Sequence, residues 1–188
     1  KVVVNDSTLT GVATLTGDSN KYGTIVIGGQ DGLDLEINGS TVQNKFSAAN
    51  VQDLILYGMA YRDSKNVSIT INDSKLINND TDGESAVVNF GTDTTQAPSS
   101  NNSLTMNNTE VTAANGIEFT TSNNYVTVTV VVGDEEQINV IEKDTLFTKP
   151  ADPEVEGYTF NGWYTTADYE EEFNFEEAIS TDTTIYAE

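Results

Sequence analysis

The chain has 188 residues, 8 basic and 30 acidic, for a net charge of −22, and it contains neither histidine nor cysteine. Such a surface repels phosphate backbones and anionic lipid headgroups, which argues against nucleic-acid partners and membrane binding. The missing residue types exclude disulfides, thiol nucleophiles and Ser-His-Asp or Cys-His catalysis. Carboxylate chemistry and oxygen-ligated cations, calcium above all, stay open.

Apolar residues make up 37% of the chain, enough for a real but thin core. No apolar run has the length needed to cross a bilayer, and none has the form of an export signal. The chain opens inside an apolar stretch, Val2-Val3-Val4, as a segment of a longer exported protein would.

A six-residue pattern, apolar-Asn-(Asp/Gly/Asn)-(Ser/Thr)-x-apolar, occurs four times, at Val4–Leu9, Ile37–Val42, Ile71–Leu76 and Met106–Val111. From asparagine to asparagine the steps are 33, 34 and 35 residues, so the pattern is a repeat. Ahead of the later copies the chain alternates apolar and polar residues, as in Leu33-Asp34-Leu35-Glu36-Ile37 and Val67-Ser68-Ile69-Thr70-Ile71, which predicts half-buried strands. After each copy comes a further apolar run, the clearest being Thr24–Ile27 and Leu54–Tyr57. Each unit is therefore strand, tight corner, short strand, loop and strand, with no helical periodicity. One unit cannot bury its apolar face alone, but stacked units bury a continuous core. Stacking would set the four asparagines above one another, where their amides can form a ladder. The same short strands also fit an antiparallel β-sandwich.

On these repeats the first 124 residues resemble the right-handed parallel β-helix of the pectate lyase-like superfamily, in which stacked asparagines mark a short turn. Residues 125–188 differ in character: they hold 2 basic and 16 acidic residues, a net −14 against −8 for the rest. They open with the strongly β-forming Tyr125–Val132 and carry Lys149-Pro150-Ala151-Asp152-Pro153 and Glu156-Gly157-Tyr158-Thr159-Phe160-Asn161-Gly162-Trp163-Tyr164. Phe173-Asn174-Phe175, Ile179 and Asp182-Thr183-Thr184-Ile185-Tyr186-Ala187 follow. This stretch resembles the Listeria–Bacteroides repeat family, also seen as the B repeat of internalin-type proteins. It departs from that pattern in Gly133-Asp134-Glu135-Glu136, where the family has a Gly-Gly turn, and in stopping at Glu188, short of the family's tryptophan, so the last strand is expected to fray. The resemblance implies a small β-grasp-like domain on secreted and wall-attached bacterial proteins. The expected fold class is thus mostly β, a short right-handed parallel β-helix (1–124) followed by a small β-grasp-like domain (125–188). Tyr158, Phe160 and Trp163 are expected to supply its mini-core, with Phe173 and Phe175 on one face of a neighbouring strand. The acidic run around Glu170-Glu171-Glu172 reads as a solvated face.

Pectate lyase-like helices often act on acidic polysaccharides. A polyuronate lyase needs carboxylates holding calcium and a basic residue, and Arg62 with Asp63 and Lys65 is the best constellation the sequence offers. A glycosidase needs two convergent carboxylates, for which Asp31, Asp34, Asp53 and Asp63 are candidates. Both fit a solvated loop and an acidic surface better, so no catalytic residue is assigned. Asn78, Asp80, Asp82 and Glu84 have the alternating oxygen ligands of a calcium loop, but Asn89 stands where the motif needs its closing glutamate, so a turn alone is expected. The expectation is a non-catalytic surface module, a stalk or adhesion scaffold, extracellular, secreted or wall-attached. It needs no cofactor, with calcium as the one option. Its partners would be an extracellular glycan or a surface protein of a host or neighbouring cell. The alternative is a β-helix that binds or degrades an extracellular polysaccharide.

Overall fold

The computed structural model describes residues 1–12, 22–27, 31–45, 52–57, 66–79, 81, 86–90, 101–121 and 125–188, which form strands and turns with no helix. The first repeat supplies β1 (Val2–Asn5), β2 (Thr8–Val12) and β3 (Tyr22–Ile27), and the second β4 (Asp34–Asn38), β5 (Thr41–Lys45) and β6 (Gln52–Tyr57). The third supplies β7 (Ser68–Asn72), β8 (Lys75–Asn78) and β9 (Val88–Phe90), and the fourth β10 (Ser103–Asn107), β11 (Glu110–Ala113) and β12 (Phe119–Thr121). Six more strands follow: β13 (Tyr125–Val132), β14 (Glu135–Glu142), β15 (Thr145–Leu146), β16 (Trp163–Tyr164), β17 (Ala178–Ile179) and β18 (Thr183–Ala187).

Strands at the same place in each repeat pair with one another, always in parallel, giving the runs β1-β4-β7-β10, β2-β5-β8-β11 and β3-β6-β9-β12. Parallel pairing throughout replaces the antiparallel sandwich that the same short strands allowed. The register sets like on like: Val4, Ile37, Ile71 and Met106 align in one column, and Leu9, Val42, Leu76 and Val111 in the next. Ile37, Ile69, Ile71, Leu76 and Leu104 are among the largest fully buried side chains, each such burial stabilising by about 1.5–3 kcal/mol.

The repeated corner has one construction. Asn38 Nδ2 donates to Asn5 Oδ1 at 2.9 Å, Asn72 to Asn38 at 2.8 Å and Asn107 to Asn72 at 2.6 Å, which is the expected ladder. The following residue turns the chain, with Asp6, Gly39, Asp73 and Asn108 at φ of 46°, 54°, 48° and 43°. Only glycine, asparagine and aspartate reach that region cheaply, which explains the motif's third position. At Gly39 a Cβ would also lie 2.7 Å from Asp6 Oδ1. The fourth position takes a hydroxyl because it bonds back: Ser7, Ser40, Ser74 and Thr109 each donate to the carbonyl of the asparagine two residues earlier. Ser40 Oγ also accepts from the Ser7 N–H at 3.1 Å, and Ser74 Oγ from the Ser40 N–H at 3.0 Å.

The last repeat does not end in a free edge of the first sheet. β14 pairs antiparallel with β10, placing Val140 opposite Leu104 and Ile138 opposite Met106. One eight-stranded sheet therefore runs β1-β4-β7-β10-β14-β13-β18-β16. Because side chains alternate across a strand, Ile138 and Val140 continue the core of the repeats, which Tyr125 also joins. Val126, Val128 and Val130 point to the opposite face, where they meet Ile179, Trp163, Ile185 and the half-buried Phe147, Phe160, Phe173 and Phe175. The two cores thus lie on opposite faces of one sheet.

Some details depart from expectation. β18, expected to fray, is an interior strand between β13 and β16, with Ile185 fully buried. The first hairpin needs no Gly-Gly, since Gly133 at φ 59° heads a two-residue turn. Phe173 and Phe175 pack edge to face with centroids 4.7 Å apart, but on an irregular segment and not on a strand. Trp163 is buried as expected, whereas Tyr158 is 82% exposed and is no part of the mini-core.

Candidate functional site

Of the proposed calcium ligands, Asn78 lies among the described residues; Asp80, Asp82 and Glu84 lie outside them. Asn78 is buried, its Oδ1 accepting from Asn44 Nδ2 at 2.6 Å and its Nδ2 donating to the Ala86 carbonyl at 2.9 Å. Arg62, Asp63 and Lys65 are outside the described residues, as is the Asp53 side chain on β6. Asp31 Oδ1 accepts from Asn66 Nδ2 at 3.0 Å, and Asp34 lies 3.7 Å from Lys1 Nζ. Among the described residues no three carboxylates gather where they could hold a metal ion.

A second amide ladder escaped the sequence reading. Asn101 donates to Asn66 at 2.9 Å and Asn66 to Asp31, each step spanning 35 residues. The even spacing was there to find, but polar loop residues had masked it. The Lys1 ammonium bonds Glu36 at 2.6 Å. That bond, helped by the Asn38 amide, holds the Glu36 carboxyl below the usual carboxylate range, and the same pair with Asp34 raises the Lys1 ammonium.

An apolar concavity lies at the far end of the eight-stranded sheet. It is a groove of about 380 Å³ where the β13–β14 turn, the segment from Pro153 to Phe160, Tyr169 and the chain end meet. Of the six exposed large hydrophobic residues among those described, Val155 (49%), Tyr158 (82%) and Tyr169 (41%) line this one groove, an unusual concentration for a solvated surface. Phe160 forms its floor and sits edge to face against Trp163 at 5.3 Å. Tyr169 has φ 57°; the other six non-glycine residues with positive φ among the described residues are all asparagine or aspartate. An aromatic residue there costs on the order of 1–3 kcal/mol, and the cost is offset by an edge-to-face contact with Tyr164 at 5.6 Å. The Tyr164 hydroxyl is hydrogen-bonded to Glu188, which, with partial burial, pushes its pKa above the tyrosine norm. Sequence reading missed the groove because its walls come from four separated stretches, none periodic. The buried Trp163 Nε1 has no hydrogen-bond partner.

The family model of the Listeria-Bacteroides repeat domain matches residues 77–188, more than half of the chain. The chain belongs to that family. The match starts within β8, so it takes in strands of the stacked repeats as well as everything from Tyr125 onward. This Listeria-Bacteroides repeat domain is typical of bacterial surface or extracellular proteins. No curated protein matches the chain.

Proposed function

We propose that the chain is a non-catalytic module of a secreted or wall-attached bacterial protein, a stalk or adhesion scaffold. In this reading the three parallel sheets are the faces of a short right-handed β-helix over residues 1–124, and residues 125–188 form a β-grasp-like domain. The observation that carries it is the antiparallel joint, in which β14 takes the edge that β10 would otherwise expose. Open edges are aggregation sites, and a folded unit laid against one protects it; β11 and β12 still end the other two sheets. Family membership supports the surface setting. The partner would be an extracellular glycan or a surface protein of another cell. No cofactor is needed; calcium, should it act, would enter through the loop carrying Asp80, Asp82 and Glu84.

The alternative, a polysaccharide-degrading β-helix, is separated by one experiment. The intact chain is incubated with neutral and acidic polysaccharides, with and without calcium, while new reducing ends and unsaturated products are followed. No turnover is expected, and product formation at any calcium level would replace the scaffold reading.

A further inference from the structure

The scaffold reading assigns no binding site, and the groove between Tyr158 and Tyr169 offers one. We propose that it binds a cationic, extended peptide segment of a partner protein, with an arginine or lysine side chain laid over the tyrosine rings.

Three observations converge. The first is chemical: two accessible tyrosine rings and the Phe160 floor present apolar, π-rich surface, the type that anchors most peptide and protein contacts. The second is charge. No basic residue lines the groove, and its one charged lining residue is Glu188. Exposed Glu154 and Glu156 flank Val155, and exposed Asp168 and Glu170 flank Tyr169. Lys149, the nearest lysine in sequence, is already bonded to Asp152 at 3.0 Å. An aromatic face rimmed by carboxylates attracts a guanidinium or ammonium twice over, through the ring quadrupole and through the acidic field, and it repels acidic glycans. The third is backbone strain: Tyr169 is held in a conformation that asparagine would adopt more cheaply, so the ring is kept at the groove against the local preference of its backbone. A neutral glycan is the weaker fit, because sugar hydroxyls need several polar side chains. Beyond the tyrosine hydroxyls the lining offers only Thr159 and Glu188.

The test uses the intact chain and a fluorescent decapeptide of alternating arginine and proline, with the glutamate–proline counterpart and a neutral hexasaccharide as competitors. It is run near 0.15 M salt, where diffuse attraction to the acidic surface is largely screened beyond about 8 Å. Saturable binding of the arginine–proline peptide is expected, weakened about tenfold by Tyr158→Ala and by Tyr169→Asn, and retained by Tyr158→Phe. Melting temperatures should change little in any variant, since Tyr158 is exposed and Tyr169→Asn exchanges the ring contact with Tyr164 for a relaxed backbone. Absence of saturable binding, or equal binding by all variants, overturns the proposal. So does displacement of the peptide by the hexasaccharide, which would make the groove a glycan site. None of these outcomes bears on polysaccharide turnover, so this proposal and the scaffold reading can fail separately.

Discussion

From Val2 to Thr121 the apolar positions of β1, β2, β4, β5, β7, β8, β10 and β11 meet the same position of the next repeat, and the polar corner does likewise through its amides and hydroxyls. From Tyr125 onward nothing repeats. The core there is a set of single aromatic and branched residues, with Trp163, Val130 and Ile185 at its centre. The difference concerns how stability is distributed. A periodic stack spreads it over equivalent layers, each replaceable by its neighbour's pattern, whereas an aperiodic mini-core concentrates it in one or two side chains. The shared sheet couples the two, because β14 faces both cores at once.

The comparison can be broken at its strongest point first. Trp163→Ala should cost about 3–5 kcal/mol and Leu76→Ala about 2–5 kcal/mol, read by denaturant unfolding. If the continuous sheet couples the regions, both variants shift one common transition. Two resolved transitions, each moved by only one variant, would show that the regions unfold independently. Tyr158→Ala, only five residues from Trp163, should leave the midpoint unchanged, which sharpens the division between core and groove.

The ladder supplies a smaller effect. Asn72 both donates to Asn38 and accepts from Asn107, so Asn72→Ala leaves two partners short and should cost about 1–3 kcal/mol. Asn5 accepts a single bond at the exposed end, and Asn5→Ala should cost a few tenths of a kcal/mol, within the about ±0.5 kcal/mol usual for surface changes. Equal losses at the two positions would remove the ladder as a cooperative element.

The smallest effect is the pH dependence of the Lys1–Glu36 pair. The Glu36 pKa is depressed in the folded state below its ordinary 4.5, so the stabilisation is complete above that value and is lost as pH falls through the depressed one. Lys1, raised above 10.5, sets the upper limit in the same way: the contribution is full below 10.5 and is lost as pH rises through the raised value. The small melting difference between the native chain and Glu36→Gln should therefore be steady at neutral pH and close in acid. A difference that persists unchanged into strong acid would mean that the pair contributes nothing.

Most of the first region was legible in sequence because repetition converts a single local pattern into a global register. The steps between Asn5, Asn38, Asn72 and Asn107 sufficed to place strands, corners and the ladder. What it did not show is which corner residue takes the left-handed turn, a matter of backbone geometry that falls on Asp6, Gly39, Asp73 and Asn108. The antiparallel joint was not legible either, since Met106 opposite Ile138 and Leu104 opposite Val140 share no spacing with the repeats. In the second region the aromatic residues were recognisable as a group, yet their division was not. Trp163 lies on β16, the edge strand of the sheet, while Tyr158 sits in a turn where no periodicity fixes the direction of a side chain. The groove was invisible for the same reason, and the strained Tyr169 carries no sequence mark at all.

The joint between β10 and β14 is tested most directly by comparing the intact chain with residues 1–124 alone in sedimentation and thermal melting. With β14 gone, β10 should expose its edge together with Leu104 and Met106, and the shortened chain should associate or aggregate while the intact chain stays dispersed. A monomeric 1–124 fragment that melts where the intact chain does would contradict the claim that the C-terminal unit protects the β10 edge.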